Sequence, residues 1–543
     1  MASAQRGRAR VRPAMTASAA VALLALLVTG CSDDPGATDA HGAPSSTGSS
    51  SSSSPTTPAG PAPVATVTSG ALPQPGPQGD LVPQLSVAVL PLVRTSDGVL
   101  LTLDVKADNP AVWGTLFCNA VSCNDLSGVG LVDTVNLQRY RPLRAGSDSG
   151  AVLTSVARQV MEPGRTYRVG AWFPLPQGSP QSLSVTLAGV GVVPGVPVTD
   201  GEVPAGLELP TGGSTAPATS PSGGSTTVVP IRPASGTPQG GPIRVVAPVA
   251  GGKLVETKGT VSLPADVLFA FDSAKLSAKA SAELSKAATI LKQKADLSKP
   301  VLVVGHTDSK GSASYNDKLS RERGASAAAS LRRLVPAATF KASGRGANDP
   351  VAPNTTKGKD NPAGRALNRR VEVAYVPKPV VQAPAKGTEG APAAPDVTLQ
   401  PFSTVQGEAQ ATAWGTDSFT AKVYPVRRDG ALALLQVDMT VDSQRVAAGS
   451  DYFARSKASH GLDAWSLQVP KEKAVYGVVH DFTEATTGSE IAATYDVSTQ
   501  TTGYRPGRTH HLFAYLALPP DGTTTVDVDL GQLGVLKDVP VQD

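Results

Sequence analysis

The stretch Val301–Arg323, VLVVGHTDSKGSASYNDKLSRER, passes from an apolar run through polar residues into a helical pattern. Its first four residues, 301–304, are apolar and mostly β-branched, which predicts a buried strand with Asp308 just beyond its carboxyl end. The period then becomes helical, so Asn316 and Arg323 share one helix face. The sequence therefore predicts a strand, a polar loop and a helix that meet at one mouth.

An acid and a base lie at this mouth: Asp308 from the strand end and Arg323 from the facing helix. A carboxylate binds an ammonium group, and a guanidinium binds a carboxylate through two parallel hydrogen bonds. Together the two side chains match a zwitterionic ligand. The alternative is a structural ion pair between them. Burial of two charges is costly unless they find partners, which favours a pair that also receives a ligand.

Motifs along residues 255–377 match those of one protein family at the family's spacing. They are Val267 to Ser273, Gly305-His306-Thr307-Asp308, Gly311, Tyr315-Asn316, Leu319-Ser320, Arg323, Gly344-Arg345-Gly346, Asn348 to Pro350, Asn354, Gly364-Arg365 and Asn368 to Glu372. The region thereby resembles the OmpA-like C-terminal domain, a peptidoglycan-binding domain also found in Pal lipoproteins and in MotB. We place this domain at 251–377.

The resemblance implies a ligand and the residues that hold it. In the family, the residues that match Asp308 and Arg323 hold the diaminopimelate of the peptidoglycan stem peptide, which is a zwitterion at its far end. The positions that line or brace that site match Thr307, Asn316, Asp272 and Arg369.

The predicted elements of this central α/β domain form a mixed sheet backed by helices on one face. The first helix is predicted at 277–294 and the second at 314–334, each with an apolar stripe. Residues 267–273 resemble the family's first strand and its Phe-Asp turn, and 371–376 predict a late strand.

The first thirty residues have the pattern of a signal peptide, with four arginines before an apolar run that is too short for a comfortable bilayer crossing. Small residues directly before Cys31 resemble a bacterial lipobox, which implies diacylglycerol on the Cys31 sulfur and cleavage before it. We therefore expect an extracytoplasmic protein with a lipid anchor in the cell membrane, or in the outer membrane where the organism has one. An ordinary signal peptide and a retained transmembrane anchor are the alternatives.

Two all-β regions are predicted on either side of the central domain, at 81–199 and 397–543. Short β-rich runs separated by turn residues indicate small immunoglobulin-like sandwiches. The second is a diverged copy of the first, because Pro163-Gly164-Arg165-Thr166 recurs as Pro506-Gly507-Arg508-Thr509, an offset of 343 residues.

The connecting segments are predicted to be disordered. Residues 31–80 form a tether of Ser, Thr, Pro, Gly and Ala, and 200–250 and 378–396 are linkers of similar composition. We expect the three domains to behave as beads with variable relative orientation.

Cys118 and Cys123 are predicted to form a local disulfide, as is usual in an exported protein. A metal site would need two further ligands, and the nearby sequence supplies none, so no metal or other cofactor is expected. The second β region lacks both cysteines, which favours a structural role for them.

Composition and motifs exclude several function classes. The net charge of +4 is small for 543 residues, and no basic stripe with interleaved aromatic residues indicates a nucleic-acid partner. The residues His306-Thr307-Asp308 could suggest a hydrolase. The sequence, however, has neither the Gly-x-Ser-x-Gly nucleophile elbow of a hydrolase nor a histidine pair at metal-binding spacing. His306 is expected to be a packed, hydrogen-bonded core histidine rather than a ligand contact. Gly344-Arg345-Gly346 lacks the third glycine of a phosphate-binding loop.

The sequence therefore predicts a non-catalytic, lipid-anchored protein that binds peptidoglycan and tethers membrane to cell wall. One alternative is a scaffold whose β-sandwiches recruit a protein partner, with wall binding only for localisation. The other is a wall-active enzyme, for which the sequence shows no nucleophile or metal set.

Overall fold

A computed structural model describes the chain in segments, all within one compact unit, Ala59–Asp543. The described residues are 62–68, 85–108, 125–146, 151–156, 161–187, 190–210, 226–232, 236–246, 248–257, 259–356, 359–378, 400–411, 415–441, 462, 464–482, 492–493 and 509–543. Cys31, Cys118 and Cys123 lie outside these residues, as do the signal peptide and nearly all of the 378–396 linker. Among the described residues, no helix has the length and apolar character needed to span a membrane.

The described residues of the first β region, 65–200, contain ten strands. They are β1 (Ala65–Thr68), β2 (Leu85–Val89), β3 (Leu92–Arg94), β4 (Val99–Ala107), β5 (Gly130–Asp133), β6 (Gln138–Tyr140), β7 (Arg144–Ala145), β8 (Thr166–Phe173), β9 (Ser182–Leu187) and β10 (Gly191–Asp200). Alternate residues of the long strands β4, β8 and β9 belong to one apolar cluster, which forms a core within this region.

Four short strands follow in the segment 200–250, where we predicted a linker without packed structure. They are β11 (Thr226–Val228), β12 (Pro238–Gln239), β13 (Ile243–Val246) and β14 (Val249–Gly251). Each pairs with a strand of a β region, and β13 lies between β6 and the later strand at His480–Phe482. The prediction was wrong because short β-branched runs in a Pro- and Gly-rich segment suffice to add strands to existing sheet edges.

The central region, residues 252–378, is a mixed α/β fold. Its elements are β15 (Val255–Thr257), β16 (Thr260–Pro264), α1 (Ala265–Leu268), α2 (Ala280–Lys294), β17 (Val301–Gly305), α3 (Ala313–Leu334), β18 (Phe340–Gly344), β19 (Thr355–Thr356), β20 (Lys359–Asp360), α4 (Pro362–Asn368) and β21 (Arg370–Ala374). The main sheet has the order β15-β16-β21-β17-β18, with β17 and β18 parallel.

Helices α2 and α3 cover one face of this sheet. Alternate residues of three strands, among them Val261, Val303 and Val373, form one apolar cluster with Leu284 and Leu331 of the helices. The mixed sheet, the two main helices and the late strand agree with the predictions to within a few residues. The predicted first strand was wrong: residues 267–268 end helix α1, and only Phe269 makes an isolated bridge.

The second β region, residues 403–542, consists of β22 (Ser403–Ala411), β23 (Gly415–Val423), β24 (Val426–Asp429), β25 (Leu432–Val441), β26 (Trp465–Val469), β27 (Ala474–Gly477), β28 (His480–Phe482), β29 (Ala492–Ala493), β30 (Thr509–Ala517), β31 (Thr525–Leu530) and β32 (Val535–Gln542), with short 3₁₀ turns at Pro470–Glu472 and Gly531–Leu533.

Strand pairing follows the same order in both β regions. The order β1-β2-β4-β8 of the first region corresponds to β22-β23-β25-β30 of the second, and the parallel pair β3–β10 corresponds to β24–β32. The first region therefore begins at Ala65, inside the predicted 31–80 tether. Both regions are mixed sheets, and their assignment as immunoglobulin-like sandwiches stays a prediction.

The two β regions are joined by a partly buried polar contact. The Asp429 carboxylate of the second region accepts hydrogen bonds from Thr134 Oγ1 (3.1 Å) and Ser184 Oγ (2.7 Å) of the first. It also accepts one from Tyr515 OH (2.6 Å) of its own region. With β13 shared between them, the regions are packed together, so the prediction of freely oriented beads was wrong for the β regions.

Candidate functional site

The candidate site lies where β17 ends beneath α3. Gly305 closes this strand, and a Cβ atom there would lie 2.1 Å from the carbonyl oxygen of Ser320 on α3. Only glycine permits so close an approach without backbone movement. The approach brings Thr307 and Asp308, just past the strand, next to the face of α3 that carries Asn316 and Arg323.

A cavity of about 560 Å³ opens at this point. All six side chains predicted to bind the ligand line it, so the fold brings them together. Its lining comprises Asp266, Phe269, Ala270, Phe271, Asp272, Thr307, Asp308, Lys310, Tyr315, Asn316, Leu319, Arg323, Arg365 and Arg369.

Asp308 is buried at the floor of the cavity and is paired with two arginines. Its Oδ2 accepts hydrogen bonds from Arg369 Nη1 (2.6 Å) and Arg365 Nη1 (3.3 Å), and its Oδ1 accepts one from the Lys310 backbone N–H (2.9 Å). It forms no ion pair with Arg323 in the described structure. Each carboxylate oxygen can accept about two hydrogen bonds, so Oδ1 keeps one acceptor position.

Arg365 and Asp266 complete this network, and neither was predicted as a site residue. Arg369 binds both oxygens of Asp266 (2.9 and 2.6 Å), and Arg365 binds both oxygens of Asp360 (3.0 and 2.8 Å). The network raises the pKa of Arg369, chiefly through the Asp266 carboxylate. No local pattern marks Asp266, because it joins the site from a distant helix, α1.

Arg323 is buried, with 5% of its surface exposed, but its guanidinium is less fully bonded. Among the described residues it makes one hydrogen bond, from Nε to the carbonyl of Ser273 (3.0 Å). The guanidinium carbon lies 5.4 Å from the centre of the Phe269 ring, a cation–π contact. Burial lowers the pKa of Arg323 below its usual value, and the Asp266 carboxylate partly offsets this. The two terminal nitrogens are therefore available to a ligand.

Thr307 and Asn316 place neutral polar groups beside Asp308 and Arg323. The Thr307 hydroxyl is buried and makes no hydrogen bond within the described residues. Asn316 donates from Nδ2 to the carbonyl oxygens of Asp308 (3.3 Å) and Lys310 (2.9 Å), so it braces the loop after β17. A buried hydroxyl without a partner is unusual, because most buried polar groups are hydrogen-bonded.

The mouth of the cavity is formed by the turn before α2. Asp272 has a φ of 57°, and its carboxylate accepts a hydrogen bond from the hydroxyl of Tyr315. This contact raises the pKa of Tyr315. Phe271 is fully exposed beside them. Asp272 thus places a second, solvent-accessible carboxylate at the rim.

A separate buried charge cluster lies behind the site. Arg370 Nε donates to Glu372 Oε1 (2.8 Å), and His306 Nε2 lies 3.5 Å from Glu372 Oε2. Burial alone would raise the pKa of Glu372, but Arg370 and His306 together outweigh it and hold this pKa well below its usual range. Burial and Arg370 lower the pKa of His306. His306 does not line the cavity, in accord with a core position.

The described residues contain no group of three or more His, Cys, Asp or Glu side chains that could hold a metal ion. Four bases and three acids line the cavity instead. This donor set suits an organic ligand that carries both charges.

Comparison with known proteins identifies the central region. Residues 268–363 match the model of the OmpA family. Over 123 residues the chain is 37% identical to outer membrane protein A of Klebsiella aerogenes, covering 22% of this chain and 34% of that protein. Over 74 residues it is 45% identical to outer-membrane lipoprotein YfiB of Pseudomonas aeruginosa, covering 13% and 41%. The chain thus spans less than half the length of these relatives.

Among solved structures, the chain resembles the cell wall anchor of the T6SS from Pseudomonas aeruginosa at 33% identity. The match covers 22% of this chain and 81% of that one, with a TM-score of 0.19.

Proposed function

Because residues 268–363 form a domain of the OmpA family, we propose that this chain binds peptidoglycan non-covalently through the diaminopimelate of its stem peptide. The observation that carries the proposal is the incompletely bonded Arg323 guanidinium in a cavity that also holds carboxylates. Diaminopimelate ends in an amine and a carboxylate on one carbon, so it needs this pair of charges at one place.

Each end of the ligand has a defined partner. The terminal nitrogens of Arg323 bind the ligand carboxylate in a two-pronged hydrogen-bonded pair. The ligand ammonium donates to the remaining acceptor position of Asp308 Oδ1 and to Asp272 at the rim. Thr307 adds a hydrogen bond from its unpartnered hydroxyl. Arg369 and Arg365 hold Asp308 in place.

The binding requires no catalysis, and we propose that the protein tethers a membrane to the wall. The lipid on Cys31 would hold the amino-terminal end, since two acyl chains anchor stably where one does not. The first β region would then lie between anchor and wall-binding domain along the chain, with the second β region packed against it. A Cys31→Ser substitution should release the protein from the membrane fraction into the medium. Unchanged fractionation would count against lipidation.

Sedimentation with purified sacculi tests the wall-binding proposal. The wild-type protein should pellet with sacculi, and the Asp308→Ala/Arg323→Ala double variant should stay in the supernatant. If the double variant, shown by circular dichroism to be folded, pellets as well as wild type, the site assignment fails.

A further inference from the structure

Lys310 differs from the arginines that line the same cavity. Its side chain is 66% exposed, whereas the side chains of Arg365 and Arg369 are 18% and 25% exposed and Arg323 is buried. A side chain that lines a cavity but is mostly exposed lies at its rim. The Lys310 ammonium group is therefore placed to meet the part of a ligand that stays outside the cavity.

The backbone of Lys310 is held by two residues of the site. Its N–H donates to Asp308 Oδ1 (2.9 Å), and its carbonyl oxygen accepts a hydrogen bond from Asn316 Nδ2 (2.9 Å). A lysine side chain extends about 6 Å from Cα to the ammonium nitrogen, at about 1.5 Å for each bond. The Lys310 ammonium group therefore stays within about 11 Å of the Asp308 carboxylate, whichever rotamer it adopts.

The acid nearest this ammonium group already has a stronger partner. Lys310 Nζ lies 3.5 Å from Asp360 Oδ1, its one ion pair within the part of the chain that the structure describes. Arg365 binds both oxygens of Asp360, at 3.0 and 2.8 Å, and lowers the pKa of that carboxyl more than Lys310 does. An exposed ion pair as long as that of Lys310 contributes little. Asp360 therefore keeps its main partner when the Lys310 ammonium group turns toward a ligand.

The stem peptide carries a further carboxylate close to diaminopimelate. When the far end of diaminopimelate occupies the cavity, its other amine is joined to the side-chain carboxyl of a glutamate residue, whose α-carboxylate stays unlinked. About ten bonds separate this carboxylate from the far α-carbon of diaminopimelate, so the two lie at most about 12 Å apart. The carboxylate is therefore within reach of an ammonium group tied to Asp308.

We propose that Lys310 is a specificity-determining residue, whose ammonium group binds the α-carboxylate of the glutamate that precedes diaminopimelate in the stem peptide. This inference rests on the proposed binding of diaminopimelate in the cavity. Conversion of the carboxylate to a primary amide, which makes the residue isoglutamine, removes the negative charge and with it the pairing. The chain therefore prefers stem peptides with glutamate to those with isoglutamine.

Isothermal titration of the full chain with three synthetic tetrapeptides tests the proposal. Each contains L-alanine, γ-linked D-glutamate, diaminopimelate and D-alanine. The first has both the glutamate and the D-alanine carboxylate, the second has an amide in place of the glutamate α-carboxylate, and the third has an amide in place of the D-alanine carboxylate. Wild type is compared with Lys310→Gln and with Lys318→Gln. Lys318 is the matched control, since it is exposed on α3, lies 3.9 Å from Glu322 and does not line the cavity.

Wild type and Lys318→Gln should bind the glutamate peptide about three- to fivefold more tightly than the isoglutamine peptide at low ionic strength. Added salt should reduce this preference, because it screens exposed charges. Lys310→Gln should bind both peptides equally, at the affinity that wild type has for the isoglutamine peptide. Equal binding of both peptides by wild type, or a preference that persists in Lys310→Gln, would overturn the proposal. A loss of affinity on amidation of D-alanine that depends on Lys310 would also overturn it, in favour of the D-alanine carboxylate.

The same titrations separate this inference from the peptidoglycan proposal. If all three peptides bind wild type equally and Arg323→Ala abolishes their binding, the cavity recognises diaminopimelate and only the role of Lys310 is wrong. If none of the peptides binds wild type, both proposals fail.

Discussion

The junction between the two β regions and the cavity of the central region both gather buried or partly buried polar side chains, but they satisfy them differently. At the junction, Asp429 accepts three hydrogen bonds from within the chain. At the cavity, Arg323 makes one hydrogen bond and Thr307 makes none among the described residues. Groups satisfied by the chain itself stabilise the fold, whereas groups left open beside a cavity await a ligand.

The largest expected effect is on ligand binding at the cavity. Arg323→Ala should weaken binding to purified sacculi at least about 30-fold, because loss of one partner of a buried charge contact costs about 2 to 5 kcal/mol. The free energy of unfolding should change little, since the side chain makes few internal hydrogen bonds. Arg321→Ala, on the exposed side of the same helix, is the matched control and should bind normally. Equal weakening in both would break the comparison.

The junction should show the reverse pattern. Asp429→Ala removes the common acceptor of three hydroxyl groups and should lower the free energy of unfolding by about 2 to 4 kcal/mol in urea titrations. Binding to sacculi should not change at temperatures where the variant is folded. Asp521→Ala, which removes an exposed carboxylate, is the control. Loss of wall binding in folded Asp429→Ala would show that the β regions contribute to the site.

A third expectation concerns the cluster behind the cavity. The pKa of His306 is lowered from 6.5 by burial, so below pH 6.5 the unfolded chain binds a proton that the folded chain does not. The free energy of unfolding should therefore fall as pH falls, by up to about 1.4 kcal/mol per pH unit from this group. Below about pH 4.5 the lowered pKa of Glu372 should add a loss of the same sign. His306→Gln should flatten the slope between pH 6.5 and 5 in urea titrations, and an unchanged slope would contradict the assignment.

The smallest expected effect distinguishes a ligand contact from a packing group. Thr307→Val keeps the shape but removes the unpartnered hydroxyl, so the melting temperature should stay the same or rise slightly. Binding to sacculi should weaken by about fivefold, equivalent to one neutral hydrogen bond of about 1 kcal/mol. A destabilised variant with normal binding would assign the hydroxyl to the fold.

The sequence predicted the central region better than its surroundings, for physical reasons. The strand at 301–305 and helix α3 follow from strong periodicity. Thr307 and Asp308 reach the cavity because they follow that strand, and Asn316 and Arg323 because they lie on the buried face of α3. Asp266 and Arg365 were missed because their roles depend on pairing across distant segments. The strands β1 and β11 to β14 were missed because composition suggested disorder, while the sheet edges that accept them are visible only in the fold.

The central claim is that Arg323 recognises the carboxylate at the far end of diaminopimelate. Isothermal titration of the purified protein with two soluble stem peptides tests it most directly, since lysine in place of diaminopimelate lacks only that carboxylate. The account predicts 1:1 binding of the diaminopimelate peptide, with the lysine peptide at least about 30-fold weaker. Equal affinity for the two peptides would contradict it.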